Sequence, residues 1–190
     1  FGLYEVPWIL AQLSTVFVFL VIINAINFID GIDGLAITVV IKAILLFEFF
    51  SASATALTPL SMILILSLIP LYYFNFKKSK KVFLGDGGSL LIGTILSIYI
   101  FYVIGDEYQI RDSFQINKVL FTVLMIPYSL IDLLRVFILR IKEGKSPFTA
   151  DQKHIHHRII NKISKHYLAL LFIISSELII VYLFIGFFKT

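Results

Sequence analysis

The stretch VPWILAQLSTVFVFLVII, residues 6–23, contains no charged side chain and decides what class of protein this chain is. A helix of that length rises about 27 Å at about 1.5 Å per residue, close to the ~30 Å hydrocarbon core of a bilayer. Because that core holds no water, the backbone N–H and C=O groups must bond to one another within a helix. The stretch therefore predicts a membrane-spanning helix.

Similar apolar runs recur along the chain and predict about six spans, at residues 6–23, 34–50, 56–76, 89–104, 119–139 and 167–188. The 190 residues are 59% hydrophobic, whereas a soluble domain is roughly 45–50% apolar. Their mean hydropathy is +0.96. We therefore expect one all-α, polytopic transmembrane domain over residues 1–190. The absence of cysteine excludes disulfides and thiolate metal sites within this chain.

The loops between the predicted spans differ in charge. Two loops are rich in basic side chains, namely Lys77, Lys78, Lys80 and Lys81 after the third span and Arg140, Lys142, Lys145, Lys153, Arg158, Lys162 and Lys165 after the fifth. Because Lys and Arg accumulate in cytoplasmic loops, we expect both loops on the cytoplasmic face and both termini outside. The same bias accounts for the net charge of +4, so no nucleic-acid partner is expected.

The first polar cluster follows the first span and reads Asn24-Ala-Ile-Asn27-Phe-Ile-Asp30-Gly-Ile-Asp33-Gly34. Residues three apart on a helix are neighbours, and each glycine lets the backbone leave helical geometry, so we place the aspartates in a short loop or a broken helix end. Two carboxylates and two amides suit a metal, a sugar or a ribose. The structural alternative is a turn whose aspartates cap the next span, but the repeated Asp-Gly behind paired asparagines favours a functional site.

The second cluster places Asp86 between Gly85 and the pair Gly87-Gly88, directly before Ser89. Glycines allow a phosphate to approach closely, consecutive amides can form an anion-binding nest, and the positive end of the following helix lies at the same place. A carboxylate would repel the phosphate unless a bridging Mg²⁺ lies between them. The alternative is a simple turn with Ser89 as the helix N-cap.

The third cluster is His154-Ile-His156-His157-Arg158. Its histidine spacing resembles a zinc site only loosely, and no cysteine or acidic partner completes one. Arg158, with Lys153 nearby, favours phosphate instead, because the guanidinium offers a planar fork of donors. The alternative is a basic loop that touches lipid headgroups.

Two pairs of charged residues fall inside predicted spans. Asp132 and Arg135 are three residues apart and are expected to pair. Lys42 lies about 12 Å beyond Gly34, and Glu177 lies about 15 Å beyond Tyr167, at 1.5 Å per helical residue. Their similar depth and opposite charge predict a buried ion pair.

Together the three motifs resemble those of the polyprenyl-phosphate N-acetylhexosamine-1-phosphate transferases. These are the glycosyltransferase family 4 membrane enzymes, which are related to phospho-N-acetylmuramoyl-pentapeptide transferase. The matching patterns occur in the order Asn24-x-x-Asn27-x-x-Asp30-Gly-x-Asp33-Gly, Phe83-Leu-Gly-Asp86-x-Gly-Ser89 and His154-x-His156-His157-Arg158. Residues 145–151 are similar to the branch that uses UDP-N-acetylglucosamine-type donors. The resemblance covers nearly the whole chain.

The resemblance implies a multi-pass enzyme of the bacterial plasma membrane with a cytoplasmic active site. Undecaprenyl phosphate would attack a UDP-N-acetylhexosamine to give a lipid-diphospho-sugar and UMP, with Mg²⁺, or Mn²⁺ in its place, as cofactor. Asp86 would be the metal ligand and, with Asp30 and Asp33, would form the catalytic set. Phe83 would stack near uracil. The remaining substrate-binding roles would fall on Asn24, Asn27, His154, His156, His157 and Arg158.

One family feature has no counterpart here, because the chain contains no adjacent Asp-Asp pair. Family members carry that pair in an earlier cytoplasmic loop and have about ten or eleven spans. We therefore expect this chain to be the C-terminal part of such a fold, holding the donor half of the site. Three alternatives stay open: a non-catalytic fragment that binds nucleotide sugar, a transporter lined by Lys42, Asp132 and Glu177, and, for the assembly, a homodimer.

Overall fold

The computed structural model describes residues 6–77, 79–146, 154–163 and 165–188. Within these ranges the chain is helical and forms no strand, apart from one isolated antiparallel bridge between Ser51 and Ile110. The helices are α1 (Trp8–Ile29), α2 (Leu35–Phe50), α3 (Thr58–Asn75), α4 (Gly85–Ile104), α5 (Lys118–Met125), α6 (Pro127–Lys142), α7 (Ile155–Ile163) and α8 (His166–Phe188). The all-α, polytopic fold class is confirmed.

Fewer helices meet the length of a span than the sequence predicted. Four of the described helices, α1, α3, α4 and α8, are long and apolar enough to cross a membrane. Helix α2 has only 16 residues, which is about 24 Å of helix. The predicted span 119–139 is instead two helices, α5 and α6, bent by 82°. Counting that pair as one broken span brings the number to five.

The break in the predicted fifth span occurs at Ile126 and Pro127. Proline has no N–H to donate and its ring clashes with the preceding turn, so it interrupts a helix or opens a new one. Here Pro127 occupies the first turn of α6, and Ile126 leaves helical geometry with φ −138° and ψ 48°. A polar group lies nearby, because the N–H of Tyr128 donates to Glu177 Oε1 at 3.2 Å.

Helices α1 and α4 pack closely, and this contact positions the polar clusters. A Cβ added to Gly93 would lie 3.1 Å from the Cα of Ile23, so glycine is what allows this approach. One helical turn further, Asn27 on α1 meets Ser89 on α4 at 2.8 Å. We call this end of the helices, where α1 ends and α4 begins, the site end.

The opposite end, which we call the far end, is where residues 51–57 and 105–117 meet. The N–H of Ala52 donates to Gln109 O at 2.9 Å, and the N–H of Gln115 donates to Phe188 O at 3.0 Å. Aromatic rings fill the core beside these loops, with the ring centroids of Phe47 and Tyr108 at 4.9 Å. The loops of the chain therefore sort to two ends, as a bundle of spans requires.

Candidate functional site

The centre of the site joins two motifs that lie far apart in sequence. The side-chain amide of Asn27 donates to Ser89 Oγ at 2.8 Å and to Asp86 Oδ1 at 3.5 Å. The Ser89 hydroxyl in turn donates to Gly85 O at 3.0 Å. These contacts bring the first and second polar clusters together at the site end.

Helix α4 begins at Gly85, four residues earlier than the sequence indicated. Ser89 is therefore a buried residue of the second turn and not the N-cap, so the alternative of a simple turn capped by Ser89 is wrong. Asp86 lies in the first turn, where the positive end of the helix stabilises a negative charge.

The glycines around Asp86 leave room for a ligand. A Cβ added to Gly85 or Gly87 would meet no atom of the described residues within 4 Å. Packing among those residues therefore does not require glycine at either position, although Gly85 has a φ of +63° that favours it. Open backbone at the positive end of a helix is a suitable place for an anion such as phosphate.

Asp30 lies where burial and the charge of Asp86 both act on it. It follows the last residue of α1, in the loop expected there. Its burial, and then the negative charge of Asp86, raise the pKa of Asp30 to about 6. A cation bound beside these carboxylates would favour their charged form.

Asp33 belongs to a second set of contacts at the same end. Its carboxylate pairs with Lys81 Nζ, and Oδ2 lies 3.3 Å from His166 Nδ1. The capping alternative is wrong for this residue, because the N-cap of α2 is Gly34 and α2 has no side-chain cap. Asp33 instead ties the loop after α1 to the loop before α4 and to the start of α8.

Gly34 holds the loop in a geometry that other residues adopt with difficulty. It has a φ of +74°, and its N–H donates to Asn75 Oδ1 at 2.6 Å. A Cβ there would lie 2.6 Å from Phe76 Cε2 and 2.8 Å from Tyr72 Cε2. The aspartates are thus presented by a loop packed directly against the end of α3.

Two of the predicted binding residues lie at the margin of this cluster. The Phe83 side chain is 65% exposed, and Lys81 Nζ lies 5.0 Å from the centre of its ring. Asn24 Nδ2 donates to Leu20 O at 2.7 Å, one turn before Asn27 on α1. Phe83 is therefore accessible beside Asp86, whereas the Asn24 amide bonds within its own helix.

The histidine motif is arranged around a carboxylate. His154 Nδ1 lies 2.8 Å from Asp132 Oδ2, and His156 Nδ1 lies 3.9 Å from the same oxygen. Both histidines are buried, and the His154 ring packs 5.5 Å from the ring of Phe28 at the end of α1. Arg158 is exposed on α7. The side chain of His157, and Lys153, lie outside the described part of the chain.

Sequence reasoning missed several of these partners. The expected pair of Asp132 and Arg135 is confirmed at 3.8 Å, but the closer contact of Asp132, to His154 Nδ1 at 2.8 Å, was not expected. Lys81, Ser89 and His166 were not assigned to the site. A carboxylate buried in a span, such as Asp132, is by itself a signal of function, since lone charges there are costly. Its partner His154 could not be identified from the sequence, because it lies 22 residues further along the chain.

Comparison with known proteins supports the resemblance to the family. The sequence profile of the family described as Glycosyl transferase family 4 matches residues 1–104. A decaprenyl-phosphate N-acetylglucosaminephosphotransferase of Mycobacterium leprae (strain TN) is 29% identical over 67% of this chain and 31% of the relative. The same enzyme of Mycobacterium tuberculosis (strain ATCC 25618 / H37Rv) is 31% identical over 59% of this chain and 27% of the relative.

An undecaprenyl-phosphate alpha-N-acetylglucosaminyl 1-phosphate transferase of Pasteurella multocida (strain Pm70) is 34% identical over 51% of this chain and 27% of the relative. The chain therefore spans less than a third of the length of these relatives. No solved structure matches it significantly.

Proposed function

Because this chain belongs to glycosyl transferase family 4, we propose that it forms the donor-binding part of a polyprenyl-phosphate N-acetylhexosamine-1-phosphate transferase. The observation that carries the proposal is the contact of Asn27 with Asp86 and Ser89. Through it, two motifs of the family resemblance form one open, polar and negatively charged site at the end of membrane-spanning helices.

The proposed reaction joins a soluble donor to a lipid acceptor. A phosphate oxygen of undecaprenyl phosphate attacks the sugar-bearing phosphorus of a UDP-N-acetylhexosamine. The bond from that phosphorus to UMP breaks, and UMP leaves with the bonding electron pair. The products are UMP and a lipid-diphospho-sugar. A site at the membrane surface suits this reaction because it brings both substrates to one place.

A divalent cation fits the residues present. The described part of the chain holds no group of three or more His, Asp or Glu that could hold a metal ion. Mg²⁺ does not require one, since it is usually bound by one or two carboxylates plus substrate phosphates and water. Asp86 is the proposed ligand, and its charge acts on the nearby Asp30. Bound there, Mg²⁺ or Mn²⁺ would neutralise charge on the diphosphate.

The other residues have proposed roles that follow from their positions. Phe83 is exposed beside Asp86, so its ring is available to stack on uracil. Asp33 and Lys81, which pair with each other, would offer hydrogen bonds to the nucleotide sugar. Arg158 is exposed on α7 and would bind phosphate. We propose the site end as the cytoplasmic face, where UDP-sugars are available.

Release of UMP tests the proposal. The full-length protein in detergent is given undecaprenyl phosphate, UDP-N-acetylglucosamine and Mg²⁺, and UMP is measured. Asp86→Ala is expected to lower the rate at least about 100-fold, the loss typical of one strong electrostatic contact to the transition state. The matched control is Asp106→Ala, which removes an exposed carboxylate at the far end and should leave the rate unchanged.

Two results would contradict the proposal. Near-normal UMP release by Asp86→Ala would remove this residue from the mechanism. Binding of UDP-N-acetylglucosamine without any UMP release, by wild-type protein supplied with both substrates, would favour a non-catalytic binding protein. Titration with EDTA followed by Mg²⁺ or Mn²⁺ separately tests whether the activity depends on a divalent cation.

A further inference from the structure

Asp132 is a buried carboxylate with several partners on one neighbouring segment. It lies in α6 and is 0% exposed. Its Oδ1 accepts the backbone N–H of Ile155 at 2.8 Å, and its Oδ2 lies 2.8 Å from His154 Nδ1. His156 Nδ1 and Arg135 Nη1 are more distant, at 3.9 Å and 3.8 Å. Both oxygens of Asp132 are thus used to hold the segment that begins α7.

The contact to Ile155 fixes the start of α7. Ile155 is the first residue of this helix, so its N–H has no acceptor within the helix. A carboxylate at that position both accepts the N–H and places a negative charge at the positive end of the helix. Since a buried carboxylate without partners is costly, separating α7 from α6 would be unfavourable.

The contact to His154 determines the tautomer of its ring. Because a carboxylate only accepts hydrogen bonds, the proton of a neutral imidazole here lies on Nδ1. Nε2 is then the nitrogen that carries the lone pair and can accept a hydrogen bond. The ring itself packs against Phe28, the residue that follows Asn27 on α1.

We propose that Asp132 is a positioning residue for the transfer reaction: it holds His154 in the Nδ1–H tautomer beside the end of α1 and anchors α7 there. This inference rests on the proposed function, because it takes from the family resemblance the expectation that His154 binds substrate. Asp132 acts on the substrate only through His154 and the start of α7, which carries the exposed Arg158.

The tautomer of His154 tests the proposal directly. In Asp132→Asn, the amide oxygen can still accept the Ile155 N–H, while the amide nitrogen can donate to His154 Nδ1 and move the ring proton to Nε2. Nitrogen-15 NMR of histidine-labelled protein distinguishes the two tautomers, and His154→Gln assigns the signal. We expect Nδ1–H in the wild type and Nε2–H in Asp132→Asn. An unchanged tautomer in Asp132→Asn overturns the proposal.

Turnover supplies the second measurement, in the full-length protein. Asp132→Asn is expected to lower kcat/KM at least about tenfold, and adding His154→Gln should cause little further loss, because both changes remove the same interaction. Losses that multiply would show that Asp132 does not act through His154 and would overturn the proposal. Asp112→Asn, an exposed carboxylate at the far end, is the matched control and should retain wild-type turnover.

Asp132→Glu provides the rescue. It keeps the carboxylate and should restore the Nδ1–H tautomer with turnover above that of Asp132→Asn; a Glu variant with the Nε2–H tautomer contradicts the proposal. The two proposals fail differently. If wild-type protein never releases UMP, the proposed function fails, and the NMR measurement still decides whether Asp132 sets the tautomer of His154.

Discussion

Two glycines at the site end differ in what their neighbours allow. Gly34 has a φ of +74°, and a Cβ there would overlap the rings of Tyr72 and Phe76. Gly87 lies in the first turn of α4, and a Cβ there would meet no atom of the described part of the chain within 4 Å. The first glycine is therefore required by the fold, whereas the second leaves open space beside Asp86.

This contrast gives a paired prediction. Gly34→Ala should destabilise the protein by about 2 kcal/mol, because it combines a left-handed backbone with overpacking against α3. Gly87→Ala should leave thermal stability unchanged but weaken binding of UDP-N-acetylglucosamine, measured by calorimetry. Equal melting temperatures for Gly34→Ala and the wild type in detergent would contradict the packing argument, and unchanged donor binding by Gly87→Ala would place the phosphate elsewhere.

Among the helices, α2, α6 and α8 are joined inside the bundle by an ion pair and a hydrogen bond to it. Lys42 Nζ on α2 lies 2.8 Å from Glu177 Oε1 on α8, with exposures of 7% and 1%, so the ion pair predicted from depth and sign is confirmed. The same oxygen of Glu177 accepts the N–H of Tyr128, in the first turn of α6. The pair therefore stabilises the point where the predicted fifth span is broken. Because Lys42 and Glu177 neutralise each other, they are better suited to a structural role than to lining a transport pathway.

A double-mutant cycle on this pair tests the arrangement. Lys42→Met and Glu177→Gln should each lower stability by about 3 kcal/mol, since each leaves an uncompensated buried charge. The double variant removes both charges and should be more stable than either single variant, as judged by melting in detergent. Losses that simply add would show that the two side chains do not interact.

For the whole molecule, the important property is that residues of all three motifs lie toward the site end. Asn27 contacts Asp86 there, Asp33 pairs with Lys81 in the loop before α4, and His154 packs on Phe28 near the end of α1. The loops that contain Ser51 and Ile110 lie at the far end. The proposed function requires that this end faces the cytoplasm, where UDP-sugars are available.

Cysteine labelling tests the orientation, and this chain carries no native cysteine to interfere. Ser79→Cys and Ser146→Cys should react with an impermeant maleimide only from the cytoplasmic side, whereas Ser113→Cys should react from outside. All three positions are exposed. Labelling of Ser79→Cys and Ser113→Cys from the same side would contradict the arrangement of spans on which the site depends.

Much of the fold could be predicted because the local composition of a segment determines whether it can span a membrane. An apolar run must become a helix wherever it occurs, so α3, α4 and α8 were expected within four residues of their observed bounds. Helix α1 was expected too, but it continues six residues beyond its predicted end at residue 23. The motifs were recognised for a similar reason, since their residue types and spacing are visible within a few turns of chain. The Lys42–Glu177 pair also followed, because depth along a helix can be counted.

Tertiary structure alone decided the remaining features. Proline is tolerated within membrane helices, as Pro70 is within α3, so the sequence around Pro127 did not show that the span would break there. The meeting of Asn27 with Ser89 depends on the approach that Gly93 allows between α1 and α4. Besides the expected Arg135, Asp132 proved to have a closer partner in His154, because a buried carboxylate takes whichever donors the packed helices bring to it. Such partners are set by contacts between distant segments, which local sequence patterns do not specify.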